Sequence, residues 1–341
     1  MTRNYLITGG AGFIGSNYVH RLIGRGEKVT IYDNFSRAGA PRNLEWLKTA
    51  YGEKSFDVIV GDVRDAAQIT EAASRSDVIV HLAGQVAVTT SVTNPRADFE
   101  CNALGTFNAL EAARASGRDP IFIYASTNKV YGGMEDVALA EDPTRWRYAD
   151  LKNGCPESQP LDFHSPYGCS KGAGDQYVRD YHRMYGLQSV VFRQSCIYGP
   201  RQFGIEDQGW VAWFVIAAVT GRPITIYGDG KQVRDVLHVD DLLNAYDAVI
   251  EKIDAAAGSV YNMGGGPQNV LSVWAEFGPM LEKLVEHKIE TGRGDWRPGD
   301  QRVFYADISK AKEELGWSPK IGVERGIEML FEWVNENKKL F

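Results

Sequence analysis

A glycine-rich octet, Thr8–Gly15 (TGGAGFIG), joins the short apolar run Tyr5–Thr8 to the helical pattern Phe13–Arg25. Few sequence features restrict a fold as tightly. A strand that hands over to a helix in so few residues needs a sharp turn. Glycine at 9, 12 and 15 permits that turn, close approach of the backbone to a pyrophosphate, and close packing of helix on strand. The open amides and positive dipole end at the head of the helix suit a phosphate. Asp33 closes the next apolar run, VTIYD, about 20 residues further on, the spacing at which a carboxylate meets the adenosine ribose. Such a carboxylate accepts from the ribose hydroxyls and repels a 2′-phosphate, so NAD is expected over NADP. Arg37, close by in sequence, is the one feature pointing the other way. Asp62 ends the third run and is read either as an adenine contact or as the cap of the helix that follows.

The same texture continues through the first half. Strands are expected at Tyr5–Thr8, Val29–Tyr32, Asp57–Val60, Val78–Leu82, Ile121–Ala125 and Val190–Arg193, with helical stretches such as Phe13–Arg25 and Pro95–Ala115 between them. Near-continuous apolar strands alternating with helices predict a parallel sheet covered on both faces, the doubly wound α/β (Rossmann) arrangement. After Tyr198 the alternation fades, which predicts a smaller mixed α/β substrate domain. The chain is expected to return to the first domain near Val239–Ile250. The expected division is therefore 1–197 with about 236–258 for the cofactor, and 198–235 with 259–341 for the substrate. Gly132–Ser165 is too long for an ordinary connection and is expected to serve as a lid or binding loop.

Bulk properties exclude several classes. The 341 residues carry a formal charge of −7 with the signs interspersed and no basic stripe, which argues against nucleic-acid binding. There is no uninterrupted apolar stretch of membrane-spanning length and no signal-peptide pattern. The four cysteines lack metal-type spacing and read as reduced thiols, so a cytoplasmic protein without a metal is expected.

The chemistry is carried by Tyr167 and Lys171, four apart in LDFHSPYGCSKGAGDQY. At that spacing two side chains share a helix face. An ammonium there is expected to lower a phenol pKa that otherwise lies near ~10, giving a base for a sugar hydroxyl while a nicotinamide takes the hydride.

With these residues assembled, the sequence resembles the extended short-chain dehydrogenase/reductase family over nearly its whole length. TGGAGFIG, HLAG at His81–Gly84, STNKVYG at Ser126–Gly132 and YGCSK at Tyr167–Lys171 occur in that family's order. The resemblance implies that Thr127 completes a triad with Tyr167 and Lys171, with Ser126 the adjacent fallback, and that Lys171 also anchors the nicotinamide ribose. It places Phe13, Ile14, Asn34, Val63, Leu82, Ala83, Gly84, Gln85, Asn102, Tyr167 and Lys171 at the cofactor beside Gly9, Gly12, Gly15, Asp33 and Asp62. AGQVAVTTS, RQFGIEDQGWVAWF and GKQVRDVLH look like the subgroup that inverts C2 of CDP-linked hexoses of the paratose, tyvelose or glucose type. A 4-epimerase acting on a UDP- or GDP-hexose is the alternative, and a non-catalytic NAD-binding module a more distant one.

Two departures from the wider family are informative. Cys196 stands where many relatives carry an asparagine in RxxNxYGP. Asn128 and Lys129 follow Thr127 where the 4,6-dehydratases have Asp-Glu, which leaves elimination without its acid–base pair. Arg201, Arg234 and Arg302 are the candidate diphosphate ligands, because guanidinium can grip phosphate oxygens bidentately, and each could equally form a surface ion pair. Arg234 matches a family phosphate contact. Gln208 and Trp210 are read as base contacts, with core filling equally open for Trp210. Thr89, Asn128 and His164 fall in subgroup-type segments and are expected near the sugar, His164 either as a second acid–base group or as a loop support. The helices around Pro95–Ala115 and Tyr167–Tyr185 occupy positions that pair subunits in relatives, which implies a homodimer or homotetramer.

Overall fold

A computed structural model describes residues 2–296 and 300–341. Its centre is a parallel seven-stranded sheet. The strands in chain order are β1 (Asn4–Thr8), β2 (Lys28–Asp33), β3 (Asp57–Val60), β4 (Val78–His81), β5 (Ile121–Thr127), β6 (Ser189–Gln194) and β7 (Val260–Met263), arranged 7-6-5-4-1-2-3. The order reverses direction at β1, and the C-terminal ends of β1 and β4 open onto the cleft where such sheets bind ligands.

The continuous apolar strands follow from burial on both faces. In β1, Tyr5 and Ile7 join one core layer and Leu6 the other; in β5, Ile121 and Ile123 oppose Phe122 and Tyr124; in β6, Val190 and Phe192 oppose Val191. The first layer lies under the helices Phe13–Gly24, Ala40–Tyr51 and Val239–Glu251. The second lies under Ala66–Ala73, Gly105–Ala115 and Ser165–Tyr185.

The helix Val239–Glu251 packs on the first core layer of the large sheet, and the chain meets that sheet again at β7. β7, beyond the expected handover at about 258, pairs with β6 from Val260↔Val191 to Met263↔Gln194 and forms the sheet edge. The smaller unit has its own core under the helices Trp210–Thr220, Phe277–Val285 and Val323–Glu336. Its main strand, Val233–His238, pairs with Cys196–Tyr198, Val270–Ser272 and Val303–Phe304.

Two local expectations are corrected. Pro95–Ala115 is not one uniform helix: Pro95–Phe99 passes through a π-helical turn at Glu100–Leu104 into Gly105–Ala115. The Gly132–Ser165 segment contains the antiparallel pair Leu139–Glu141/Trp146–Tyr148, and Tyr148 is buried with Val303, Phe304 and Tyr305. It packs onto the smaller unit, and none of residues 133–163 lines either of the two cavities described next.

Candidate active site

The first cavity, about 170 Å³, sits at the C-terminal ends of β1, β2 and β4. Gly9 turns the chain with φ +68°, and a Cβ there would lie 2.9 Å from the Ala83 nitrogen. A Cβ on Gly15 would lie 2.3 Å from the Gly9 carbonyl oxygen. Neither position admits a side chain, so the turn forms a bare-backbone cradle as a pyrophosphate requires. Asp33 projects from the end of β2, its carboxylate accepting from the Ala11 amide at 3.1 Å and the Phe35 amide at 2.8 Å. Burial raises its pKa, and those two amides and Arg37 pull it back.

Of the residues assigned to the cofactor, only Gln85, Asn102, Tyr167 and Lys171 lie outside this lining. Asn102 and Gln85 instead bond to each other and to their neighbours. The π-turn points the Asn102 amide inward, where it accepts from the Gln85 amide (2.8 Å) and donates to the Gln85 carbonyl (3.0 Å), Asp98 (3.1 Å) and Ser170 (3.1 Å). Its hydrogen bonds hold the loop after β4. Asp62 lines the cavity, but its carboxylate is gripped by Arg64 at 2.8 and 2.7 Å and by Asn34 at 2.9 Å, which holds its pKa well below the usual carboxylate range. The following helix is capped by Asp65 instead, which accepts from the Gln68 amide.

Sequence reasoning missed Tyr32, Ser36, Gly61 and Cys101 in this wall and took Arg37 only as a bias toward NADP. The Arg37 guanidinium reaches across the cleft to the Gln208 side chain, so it links the two cavities.

The second cavity, about 420 Å³, runs from Thr127 and Tyr167 past Cys196 and Arg234 to Thr225, Tyr227 and Gln232. Thr127 ends β5 and caps the 3₁₀ turn Asn128–Tyr131, its hydroxyl accepting from the Lys129 amide at 3.2 Å. Tyr167 enters from the first turn of Ser165–Tyr185, behind Pro166 and the left-handed Ser165 (φ +65°). Burial pushes the Tyr167 pKa up to about 12 and outweighs hydrogen bonding to Thr127 and the field of Arg37, which lower it. Lys171 is not among the groups that lower it. Its ammonium lies over the Tyr124 ring at 4.3 Å, and burial lowers its pKa to about 8 against the upward pull of Cys101, Asp175 and Asp98. Tyr167 and Lys171 share the helix face, and desolvation is the main influence on both groups.

Thr89, Ser126, Asn128, Gln208, Trp210 and Arg234 all line this cavity. Ser126, however, donates its hydroxyl to the buried Asp175 at 2.8 Å. Trp210 also packs edge-on against Phe277 in the small core, and its indole N–H meets the Cys196 sulfur at 3.4 Å. Three residues expected at the substrate lie away from both cavities. Arg201 donates to Asn17 at 3.0 Å and stacks on Trp46 at 4.2 Å, which ties the small unit to the large one. Arg302 lies between Trp146 and Trp296. His164 precedes the Tyr167 helix and pairs with Asp162 at 2.9 Å. None of the three lines either cavity. Lys129, Gln194, Gln202 and Gln232, unassigned from sequence, do line the second; Gln194 ends β6 and Gln232 directly precedes the Val233–His238 strand.

A bare-backbone glycine turn beside a Tyr/Lys/Thr cluster and a second cavity of about 420 Å³ is the arrangement of a dinucleotide-dependent enzyme with an adjoining substrate site. The chain belongs to the extended short-chain dehydrogenase/reductase family, within the group of nucleotide-sugar epimerases and dehydratases; the family profile described as GDP-mannose 4,6 dehydratase matches residues 6–330. It is 44% identical to a CDP-paratose 2-epimerase of Salmonella typhi over 337 residues, 97% of this chain and 98% of that protein. Among solved structures it is similar to a UDP-glucose 4-epimerase of Thermotoga maritima with UDP-glucose (TM-score 0.84, 31% identity, 98% of this chain and 99% of the other). A Thermus thermophilus UDP-glucose 4-epimerase in complex with NAD gives a TM-score of 0.81 at 31% identity, covering 97% and 98%.

Proposed function

We propose that this enzyme inverts C2 of a CDP-linked hexose, of the CDP-paratose/CDP-tyvelose or CDP-glucose type, with NAD as a resident cofactor. The observation that carries the reading is the full-length 44% identity to a CDP-paratose 2-epimerase. The site supports it chemically, because the two positions after Thr127 are Asn128 and Lys129 rather than an acid–base pair of carboxylates. NAD fits the bare cradle at Gly9–Gly15 and the Asp33 carboxylate, and when bound it supplies reversible hydride acceptance at the sugar carbon. Tyr167 takes the proton from the C2 hydroxyl and returns it. Thr127 orients that oxygen, and Lys171 holds the nicotinamide ribose and offers positive charge to the phenolate. Arg234 keeps the diphosphate in place while the sugar turns its other face.

Net redox is zero, so the protein works without added cofactor. A UDP- or GDP-hexose 4-epimerase is the second reading, favoured by the similarity to the Thermotoga enzyme. Incubation with CDP-paratose, CDP-glucose and their GDP counterparts in deuterium oxide, followed by NMR, separates them. Inversion at C2 without deuterium uptake is expected. Inversion at C4 transfers the enzyme to the second reading, and deuterium at the inverted carbon overturns hydride transfer altogether.

The protein is proposed to act in the cytoplasm as a homodimer. Phe99, Phe107, Tyr177, Met184 and Tyr185 are exposed along the Pro95–Ala115 and Ser165–Tyr185 segments, an apolar set suited to a second copy. A single species at monomer mass in sedimentation would refute the pairing.

A further inference from the structure

Lys129 is the one cation in the substrate cavity that the site chemistry above leaves without a task. It follows Thr127 by two residues, is half-buried, and lines the cavity between the Tyr167 end and Arg234. Among the described residues its ammonium has no carboxylate within 4.0 Å; its polar contact is the Gln301 carbonyl oxygen at 3.5 Å. That oxygen is held facing it because the Gln301 amide donates to the Gly132 carbonyl at 2.5 Å. The nearest charges are Arg234, which repels it, and Asp300, which is already bound to Arg234 at 2.5 Å. Cys196 also acts on it, and Tyr167, Glu206, Asp207 and Tyr227 line the same cavity.

Lys129 and Arg234 are faced by one carboxylate, Asp300; Glu206 and Asp207 also line the cavity, and Glu206 accepts from the Tyr227 hydroxyl at 2.9 Å. An unpaired buried charge is costly unless an opposite charge joins it. The anionic part of a nucleotide sugar is its diphosphate.

We infer that Lys129 and Arg234 together form the seat for the substrate's diphosphate, with Lys129 as the specificity-determining cation on the sugar side. The inference rests on the nucleotide-sugar reading but not on which carbon is inverted. Holding the diphosphate from two directions fixes the nucleotide while the hexose keeps few polar tethers. Burial and the field of Arg234 lower the Lys129 pKa to about 8. Binding a diphosphate therefore draws in a proton at higher pH, and affinity falls as pH rises through that value.

The test is calorimetric titration of the purified NAD-loaded protein with CDP and, separately, with cytidine, from pH 6.5 to 9. Lys129→Met is expected to weaken CDP about tenfold, the size of one lost charge-assisted hydrogen bond, while cytidine is unchanged. Lys129→Arg keeps most of the CDP affinity and controls for misfolding. The wild-type loss of CDP affinity above about pH 8 should disappear in Lys129→Met. Equal weakening of CDP and cytidine, or unchanged CDP affinity, overturns the inference. If UDP or GDP binds more tightly than CDP, the same contrast is made with that nucleotide and its nucleoside; the CDP reading then fails while the Lys129 inference stands or falls on its own result. If no nucleoside diphosphate binds, both fall.

Discussion

Replacing Asp175 with asparagine tests the architecture of the site most sharply. Asp175 is fully buried on the Ser165–Tyr185 helix, two turns from Tyr167. Its carboxylate accepts two hydrogen bonds from the buried Arg193 of β6, both at 2.9 Å, and one from Ser126 of β5 at 2.8 Å. It thus fastens the helix that carries Tyr167 and Lys171 to the two strands beside them. An amide keeps the shape and removes the charge, leaving the Arg193 guanidinium buried without a counter-ion. Breaking a buried pair in this way costs about 3–5 kcal/mol. With an unfolding entropy of about 2.1 cal/mol/K per residue over 341 residues, Tm should drop by roughly 4–7 °C.

A second readout follows from Lys171. Asp175 pulls its pKa upward, so Asp175→Asn should move the high-pH fall in kcat, read at saturating substrate and so apart from the Lys129 effect on binding, to lower pH. Calorimetric melting and a pH–rate profile measure the two effects. The double variant Asp175→Leu/Arg193→Met, which removes both charges, should recover most of the lost Tm. A single variant that melts within about one degree of wild type, or a high-pH limb that moves upward, would refute the reasoning.

Tyr167→Phe should lower kcat by roughly 10²–10⁴-fold, the usual contribution of a positioned acid–base group, with nucleotide affinity measured by calorimetry nearly unchanged. Its fold should persist, because Thr127 keeps the Lys129 amide as a partner; near-normal turnover would remove tyrosine from the mechanism. Gly15→Ala should strip the protein of dinucleotide, because the new methyl meets the Gly9 carbonyl and forces the turn open. Absorbance of the nucleotide released on denaturation checks this, and a stoichiometric yield from the variant would contradict it.

Much of the sheet was legible because each of its first six strands is an apolar run whose neighbours are helices, and burial on both faces is what such a run requires. β7 was not, because VYNM offers only four residues and its partner, β6, lies almost seventy positions earlier. The cofactor cradle was legible because glycine at 9 and 15 is forced by backbone contact, a constraint that survives into sequence. Arginine gave no such guarantee. Arg201, Arg234 and Arg302 look alike in a sequence, yet one stacks on Trp46, one enters the cavity and one lies between two tryptophans. Only the packing of aromatic neighbours decides among them. His164 lies off both cavities, and one residue of left-handed backbone at Ser165 turns the chain between it and Tyr167. The π-turn at Glu100–Leu104 leaves no periodic trace, and Asn102 was accordingly assigned to the cofactor rather than to the loop it supports.

The position of β7 bears on how the protein is made. On a ribosome adding about 5–20 residues per second, β1 through β6 emerge well before Val260. Until then β6 presents an open row of amides and carbonyls at the border of the largest sheet, a template for pairing with another nascent chain. The helix Ser309–Leu315 and Trp317, which close over the same core layer, come later still. Truncation anywhere before residue 263 therefore removes more than the smaller unit: it uncaps the sheet that carries the dinucleotide cradle. Translation pausing ahead of β7 should raise the yield of insoluble chains more than pausing after Trp317.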